Sequence, residues 1–352
     1  MKLFTVGPVE MFERTLKLRS EQLPYFRTDE FSQMMLKADK QLKDIIDAPE
    51  NSKTIYLTVS GTGAMEATVM NCFNQQDKIL VINGGGFGER FEKICEIHRI
   101  EYTAIKVPLE QDLTEEMLLP YENCGYTGLL VNVHETSIGK LYDIAMLGGF
   151  CERNNLFLVV DAISSLFIDA ISMKRYCIDA LIFSSQKALS LSPGMAGVVL
   201  SERIIEERVL NNKVQSMYFD FKDYFVNFER GQTPFTPCVG TFIEYADMIQ
   251  WIWDMGIAKI VEDKKRLANQ FREELKKQGF GVPQYTMSNG LTPVYLDDAY
   301  EFYLKLKEDY ELVVTPNGGE LRDKVIRIGH MGNLDSCDYK YLLECMLKIR
   351  QE

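Results

Sequence analysis

Two charged residues stand where apolar runs end. Asp161 closes Phe157-Leu158-Val159-Val160-Asp161, and one strand later Lys187 closes Phe183-Ser184-Ser185-Gln186-Lys187. Carrying an ammonium and a carboxylate to the tip of a buried sheet costs hydration, so stability alone does not account for them. A lysine whose pKa is lowered by burial is a nucleophile toward a carbonyl. A carboxylate nearby can keep a pyridine nitrogen protonated. Both demands meet in a pyridoxal 5'-phosphate site, with Lys187 as covalent anchor and proton carrier and Asp161 as partner of the ring nitrogen. Taken singly, each has a plainer reading: an aspartate capping a helix, and a lysine whose head reaches solvent.

Four further segments offer matching chemistry. Ser60-Gly61-Thr62-Gly63 lies between a strand and a helix, where small residues bare backbone N–H groups and the hydroxyls add donors, as a phosphate requires. A tight turn with Thr62 as helix cap is the simpler alternative. In Asn83-Gly84-Gly85-Gly86-Phe87-Gly88 the spacing departs from G-x-G-x-x-G and no acidic residue closes the next strand, so a dinucleotide fold is disfavoured. The glycines instead free Phe87 to lie over a planar ring. His134-Glu135-Thr136-Ser137-Ile138-Gly139 puts hydroxyls at the end of another strand, in reach of a cofactor or substrate or simply in a turn. Arg327, near the end of a late strand, can grip an α-carboxylate with two parallel bonds or serve as a strand-end ion pair.

The elements that must position these residues alternate. Apolar strands are expected at 55–59, 78–83, 102–107, 128–133, 156–161, 181–184 and 197–200, with helices at 64–73 and 88–97 among them. Strands apolar on both faces belong to a mainly parallel sheet covered by helices. After residue 241 the pattern changes: a charged amphipathic helix at 262–278 stopped by Gly279, strands near 291–296, 312–315 and 325–328, a helix at 299–309 and a last helix from about 335. The chain is therefore expected to be α/β, with an N-terminal arm (1–15), a large domain (16–257) and a small α+β domain (258–352).

The 352 residues, 46% hydrophobic and 26% charged, suit a soluble globular protein. A formal net charge of −12 argues against nucleic acid and anionic membranes as partners. No apolar run reaches membrane-spanning length and the N-terminus lacks a signal-peptide core. The eight cysteines form no Cys-x-x-Cys pair and read as reduced thiols of a cytoplasmic protein; no two of the three histidines stand four apart, so no metal site is expected.

Together these segments resemble the class V aminotransferases of the fold-type I pyridoxal phosphate enzymes, closest to the alanine–glyoxylate, serine–pyruvate and 2-aminoethylphosphonate–pyruvate group. The resemblance runs from Thr5-Val6-Gly7-Pro8 to Arg327-Ile328-Gly329. It implies a seven-stranded, mainly parallel sheet. It implies that Ser60, Gly61, Thr62 and Gln186 hold the phosphate, that Phe87 and Ile163 flank the ring, and that Thr136 meets the ring hydroxyl region. Gly7 and Arg327 would lie at the substrate. It also implies a homodimer with the site at the subunit interface, where Thr236 reaches the neighbouring phosphate; the usual tyrosine before that motif is missing, with Thr233 and Pro234 in its place.

The expected activity is ping-pong transfer of an amino group from 2-aminoethylphosphonate, alanine or serine to pyruvate or glyoxylate. Arg27 is a candidate second cation for an anionic donor, the plainer reading being a solvated arginine paired with Asp29 or Glu30. A pyridoxal phosphate lyase or cysteine desulfurase on the same scaffold is the alternative. It fits less well, because Gln186 stands where desulfurases carry histidine and Cys337 lies in Asp335-Ser336-Cys337-Asp338, at the opening of a helix.

Overall fold

The Ile-, Val- and Leu-rich runs form strands because each can bury both of its faces. A computed structural model describes residues 1–351. Its strands are β1 (Lys2–Phe4), β2 (Lys53–Leu57), β3 (Lys78–Asn83), β4 (Glu101–Lys106), β5 (Gly128–Asn132), β6 (His134–Glu135), β7 (Lys140–Leu141), β8 (Phe157–Asp161), β9 (Ala180–Ser184), β10 (Ala196–Leu200), β11 (Leu291–Tyr295), β12 (Leu312–Pro316) and β13 (Val325–Gly329). The helices that matter here are α1 (Asp29–Ile45), α2 (Gly61–Cys72), α3 (Gly88–Ile97), α4 (Val239–Met255), α5 (Ile257–Lys277), α6 (Ala299–Tyr310) and α7 (Ser336–Gln351).

Seven strands form one sheet in the order β2-β10-β9-β8-β5-β3-β4. The pairs from β9 to β4 are all parallel, and β10 is antiparallel to both of its neighbours. The other six strands therefore point the same way, and their carboxyl ends share one edge. Alternation along each strand sorts side chains between two cores. Ile79 and Val81 join Met65 and Val69 of α2. Leu80 and Ile82 face the side that holds Met35 of α1 and Phe242 of α4. Truncating such a residue to alanine costs roughly 2–5 kcal/mol.

The second sheet has the order β1-β12-β13-β11, with β1 parallel to β12 and β13 antiparallel to β12 and β11. Its core joins Phe4 of β1 to Phe271 and Leu275 of α5 and to Ile326 and Ile328 of β13. The N-terminal arm is thus tied into the C-terminal sheet by three residues, too short a stretch to show a period in sequence. Helices α4 and α5 meet at Gly256, whose φ of +79° suits glycine. We propose the division between large and small domains there. Strand ends shift from the sequence reading by one or two residues, and two helix starts shift further. Helix α5 begins at Ile257 rather than 262, and α2 begins at Gly61 rather than 64, with Ser60 in extended conformation (φ −74°, ψ 164°) before it. Thr62 is therefore inside the first turn, not a cap. Among the described residues, no helix is long and apolar enough to cross a membrane.

Candidate active site

The shared edge of the large sheet gathers the chemistry. β2 leads to Ser60, β3 to the 84–88 loop, β5 to the 134–139 loop, β8 ends in Asp161, and β9 leads to Gln186 and Lys187. This is where open α/β sheets bind ligands. One cavity is lined by Ser60, Gly61, Thr62, Phe87, Thr136, Asp161, Ile163, Gln186 and Lys187, together with Arg90 and Ser164. A hollow of about 790 Å³ between Met70, His98 and Asn212 is larger, but no carboxylate lines it. Size does not pick the site; the paired charges do.

Asp161 is buried, and its Oδ1 accepts the Ile163 N–H at 2.9 Å. Burial pushes its carboxyl up to about 6, against the opposing pull of that bond and of Lys187. Burial brings the Lys187 ammonium down to about 8; Asp161 opposes this, while Arg327 and Arg90 add to it. Lys187 Nζ lies 5.2 Å from the centre of the Phe87 ring. Gly7 (φ +130°) packs against the lysine stem: a Cβ there would sit 3.0 Å from Lys187 Cγ. On the opposite wall, a Cβ on Gly61 would lie 2.4 Å from Ile163 Cδ1, so the phosphate-type turn and the Ile163 side chain meet only because residue 61 is glycine.

The 134–139 loop has two faces. Toward the glycine-rich loop, the fully buried Glu135 carboxylate accepts the N–H groups of Phe87 (3.2 Å) and Gly88 (3.1 Å), the Asn132 amide (3.0 Å), and the Ser137 N–H (3.2 Å) and hydroxyl. A carboxylate at the N-terminus of α3 complements the helix dipole. It also occupies the donors a pyrophosphate would need, which removes the physical basis for a nucleotide site in the glycine-rich loop. Toward the small domain, four successive carbonyls are taken. Arg327 Nη1 donates to Thr136 O (3.0 Å), Asn317 Nδ2 to Ser137 O (3.0 Å), Tyr285 Oη to Ile138 O (2.6 Å) and Ser288 N to Gly139 O (3.0 Å). The Thr136 hydroxyl bonds Ser164 Oγ at 2.7 Å.

Arg327 also donates from Nη2 to Pro316 O at 2.8 Å, while its buried Nε has no partner. Burial lowers its pKa to about 10, with Glu135 opposing. Of the expected site residues, Gly7, Arg327, Arg27 and Thr236 lie outside the cavity lining, Gly7 packing against the Lys187 stem. Arg27 is committed to Gln232 Oε1 (3.0 Å) and the Thr233 carbonyl (2.9 Å) and lies against Phe26, pairing with neither Asp29 nor Glu30. Thr236 is exposed and outside this chain's cavity lining. Cys337 is exposed in the first turn of α7, its N–H bonded to Asp335 Oδ1, and outside the cavity lining. Sequence reasoning passed over Arg90 and Glu135. The first was legible only as a cation one helical turn after Phe87. Glu135 finds its backbone partners 48 and 47 residues away.

Comparison with known proteins decides the family. The model of the family described as Aminotransferase class-V matches residues 24–289. The chain is a class-V aminotransferase. An uncharacterized aminotransferase of Methanocaldococcus jannaschii is 28% identical, the match covering 98% of this chain and 91% of that one. The L-aspartate–glyoxylate aminotransferase of Paracoccus denitrificans is 24% identical over 94% of this chain and 86% of its own length. The crystal structure of an aspartate aminotransferase from Thermus thermophilus superposes with a TM-score of 0.91 at 25% identity, covering 99% of this chain and all of that one.

Class-V aminotransferases depend on pyridoxal 5'-phosphate, and the cavity of this aminotransferase has the composition to take it. Beside Asp161 and Lys187 it offers the α2 N-terminus with its bare N–H groups. Nearby are two buried polar atoms without partners among the described residues, the Ser184 hydroxyl, which can donate to an anion, and Gln186 Oε1. Among the described residues no cluster of His, Cys, Asp and Glu could hold a metal ion.

Proposed function

We propose that this class-V aminotransferase moves the amino group of a small amino donor to pyruvate or glyoxylate by a ping-pong reaction. One observation carries the reading: a part-buried lysine and a buried carboxylate line a cavity together with a glycine-opened helix N-terminus. The cofactor supplies an electron-withdrawing ring that holds the electron pair released at the substrate Cα. Everything else falls to the chain. Lys187 Nζ would anchor the cofactor covalently and, once released, would take the proton from the substrate Cα and return it. Its lowered pKa leaves a useful fraction neutral near pH 7. Asp161 would pair with the ring nitrogen and keep its proton in place. Phe87 and Ile163 would flank the ring, Thr136 would serve its hydroxyl, and Ser60, Gly61, Thr62 and Gln186 would hold the phosphate. The Arg327 guanidinium holds the donor's carboxylate, and the absence of a side chain at Gly7 leaves room beside the lysine.

Glyoxylate as acceptor draws support from the Paracoccus relative's name; aspartate thus joins 2-aminoethylphosphonate, alanine and serine as donors to test. Thr236, exposed in this chain beside the buried Pro237, suits a contact made to the site of a second copy, and we take the working form as a homodimer. Eight free cysteines fit a reducing cytoplasm. Arg27 is committed to anchoring the N-terminal segment against residues 232–234, and we keep it only as a donor-selectivity candidate.

The test is replacement of Lys187 by alanine, with absorbance and a donor panel run against pyruvate and glyoxylate. The variant should lose the visible band of the covalently held cofactor and all turnover. Full activity in Lys187→Ala would remove this lysine from the reaction. Release of sulfide and alanine from cysteine without any oxo acid would instead favour desulfurase chemistry.

A further inference from the structure

Among the described residues, Arg90 is the one cation lining the cavity besides Lys187. It stands in the first turn of α3, three residues after Phe87, and its guanidinium carbon lies 4.6 Å from the centre of the Phe87 ring. Its Nη1 donates to Thr62 Oγ1 at 2.8 Å. No carboxylate among the described residues forms an ion pair with it. One donor of a planar fork is therefore used to fix it against the α2 N-terminus, and a stack fixes its plane. The other donors bond nothing among the described residues. An arginine oriented in this way without a counterion is built for an anion.

Two anions enter this cavity: the cofactor's phosphate and the acidic group of a substrate. The position of Arg90 separates them. Its anchor is the hydroxyl of Thr62, inside the same helical turn whose N–H groups face the phosphate, whereas the donor's carboxylate is assigned to Arg327 on the small-domain side. We propose that Arg90 is a ligand of the cofactor phosphate, adding a full positive charge to the partial charge of the α2 N-terminus. The proposal rests on the cofactor orientation given under Proposed function. It also gives the Phe87 platform a second purpose. The guanidinium ties the ring-stacking residue to the phosphate turn, so both ends of the cofactor are registered to each other.

The experiment titrates apoenzyme with pyridoxal phosphate and with pyridoxal, which lacks the phosphate, for wild type, Arg90→Gln and Arg90→Lys. Visible absorbance and quenching of intrinsic fluorescence are the readouts. Arg90→Gln should raise the Kd for pyridoxal phosphate about tenfold or more while leaving pyridoxal within about twofold. Arg90→Lys, which keeps the charge but not the fork, should fall between. Inorganic phosphate should compete with the cofactor in wild type and compete less well in Arg90→Gln. Equal losses for the two aldehydes would mean that Arg90 only supports Phe87, and would overturn the proposal. An unchanged cofactor Kd with a raised KM for aspartate but not alanine would also overturn it, in favour of a substrate anion. If Arg90→Gln does not fold, judged by circular dichroism of the apoenzyme, the same comparison is made with Arg90→Lys: a loss confined to pyridoxal phosphate supports the phosphate contact, and no selective loss refutes it. Failure of the reading beneath is distinguishable, since wild type itself would then take up neither aldehyde.

Discussion

Changing Asp161 to asparagine should speed, not slow, the capture of cofactor by apoenzyme at neutral pH. Only a neutral amine attacks an aldehyde, so the rate of covalent capture follows the deprotonated fraction of Lys187. At an ordinary lysine pKa of 10.5 that fraction at pH 7 is about 0.03%; with the pKa brought to about 8 it is about 10%, a gain of roughly 300-fold. Burial is the main cause, and the Asp161 carboxylate works against it by favouring the ammonium. Removing that carboxylate lowers the lysine further, so the inflection moves below 8. The rate at pH 7 rises, but by no more than about tenfold, because the neutral fraction cannot exceed one. Arg327→Gln has the opposite sign: losing a nearby cation raises the lysine, moves the inflection up and slows capture at pH 7. Stopped-flow absorbance after mixing apoenzyme with pyridoxal phosphate, from pH 6 to 10 at fixed ionic strength, reads both shifts. A wild-type inflection near 10.5, or an upward move in Asp161→Asn, would refute the account. Faster capture in that variant should accompany poorer turnover, because the ring nitrogen loses its anionic partner.

Three other outcomes are expected. Gly61→Ala should weaken cofactor binding about tenfold, since the new methyl meets Ile163 Cδ1, and Ile163→Val in the same chain should recover much of that loss in an equilibrium titration. Glu135→Gln should lower hydrogen-exchange protection of the Phe87 and Gly88 amides by about tenfold or more, as a charged acceptor is replaced by a neutral one. Arg272→Met should destabilise the fold by about 3 kcal/mol in denaturant titration, because the buried guanidinium serves Thr292 Oγ1 and the carbonyls of Ser288 and Leu291, which would then lack their donors.

The large sheet is readable because its strands, apart from the edge strand β4, are apolar on both faces, a pattern that double-sided burial produces. Asp161 and Lys187 stood out for the same reason, as charges ending greasy runs. Strand direction was less legible: nothing in Ala196–Leu200 announces that β10 runs against its neighbours, since both orientations bury the same side chains. The start of α2 was misplaced because Gly61, Thr62 and Gly63 are poor helix formers by propensity, and their position is set by the site rather than by the helix. Arg90 was invisible because an arginine on an amphipathic helix is ordinary; its meaning comes from Thr62, 28 residues away. Arg27 shows the reverse case, a cation in a suggestive segment whose partners at residues 232–234 could be known only from the fold.

The run of claimed carbonyls from Thr136 to Gly139 has a mechanical meaning. A cleft that opened by swinging the C-terminal segment away from the sheet edge would break four hydrogen bonds at once. Admitting a donor and discharging a product therefore cost least where that line stays intact.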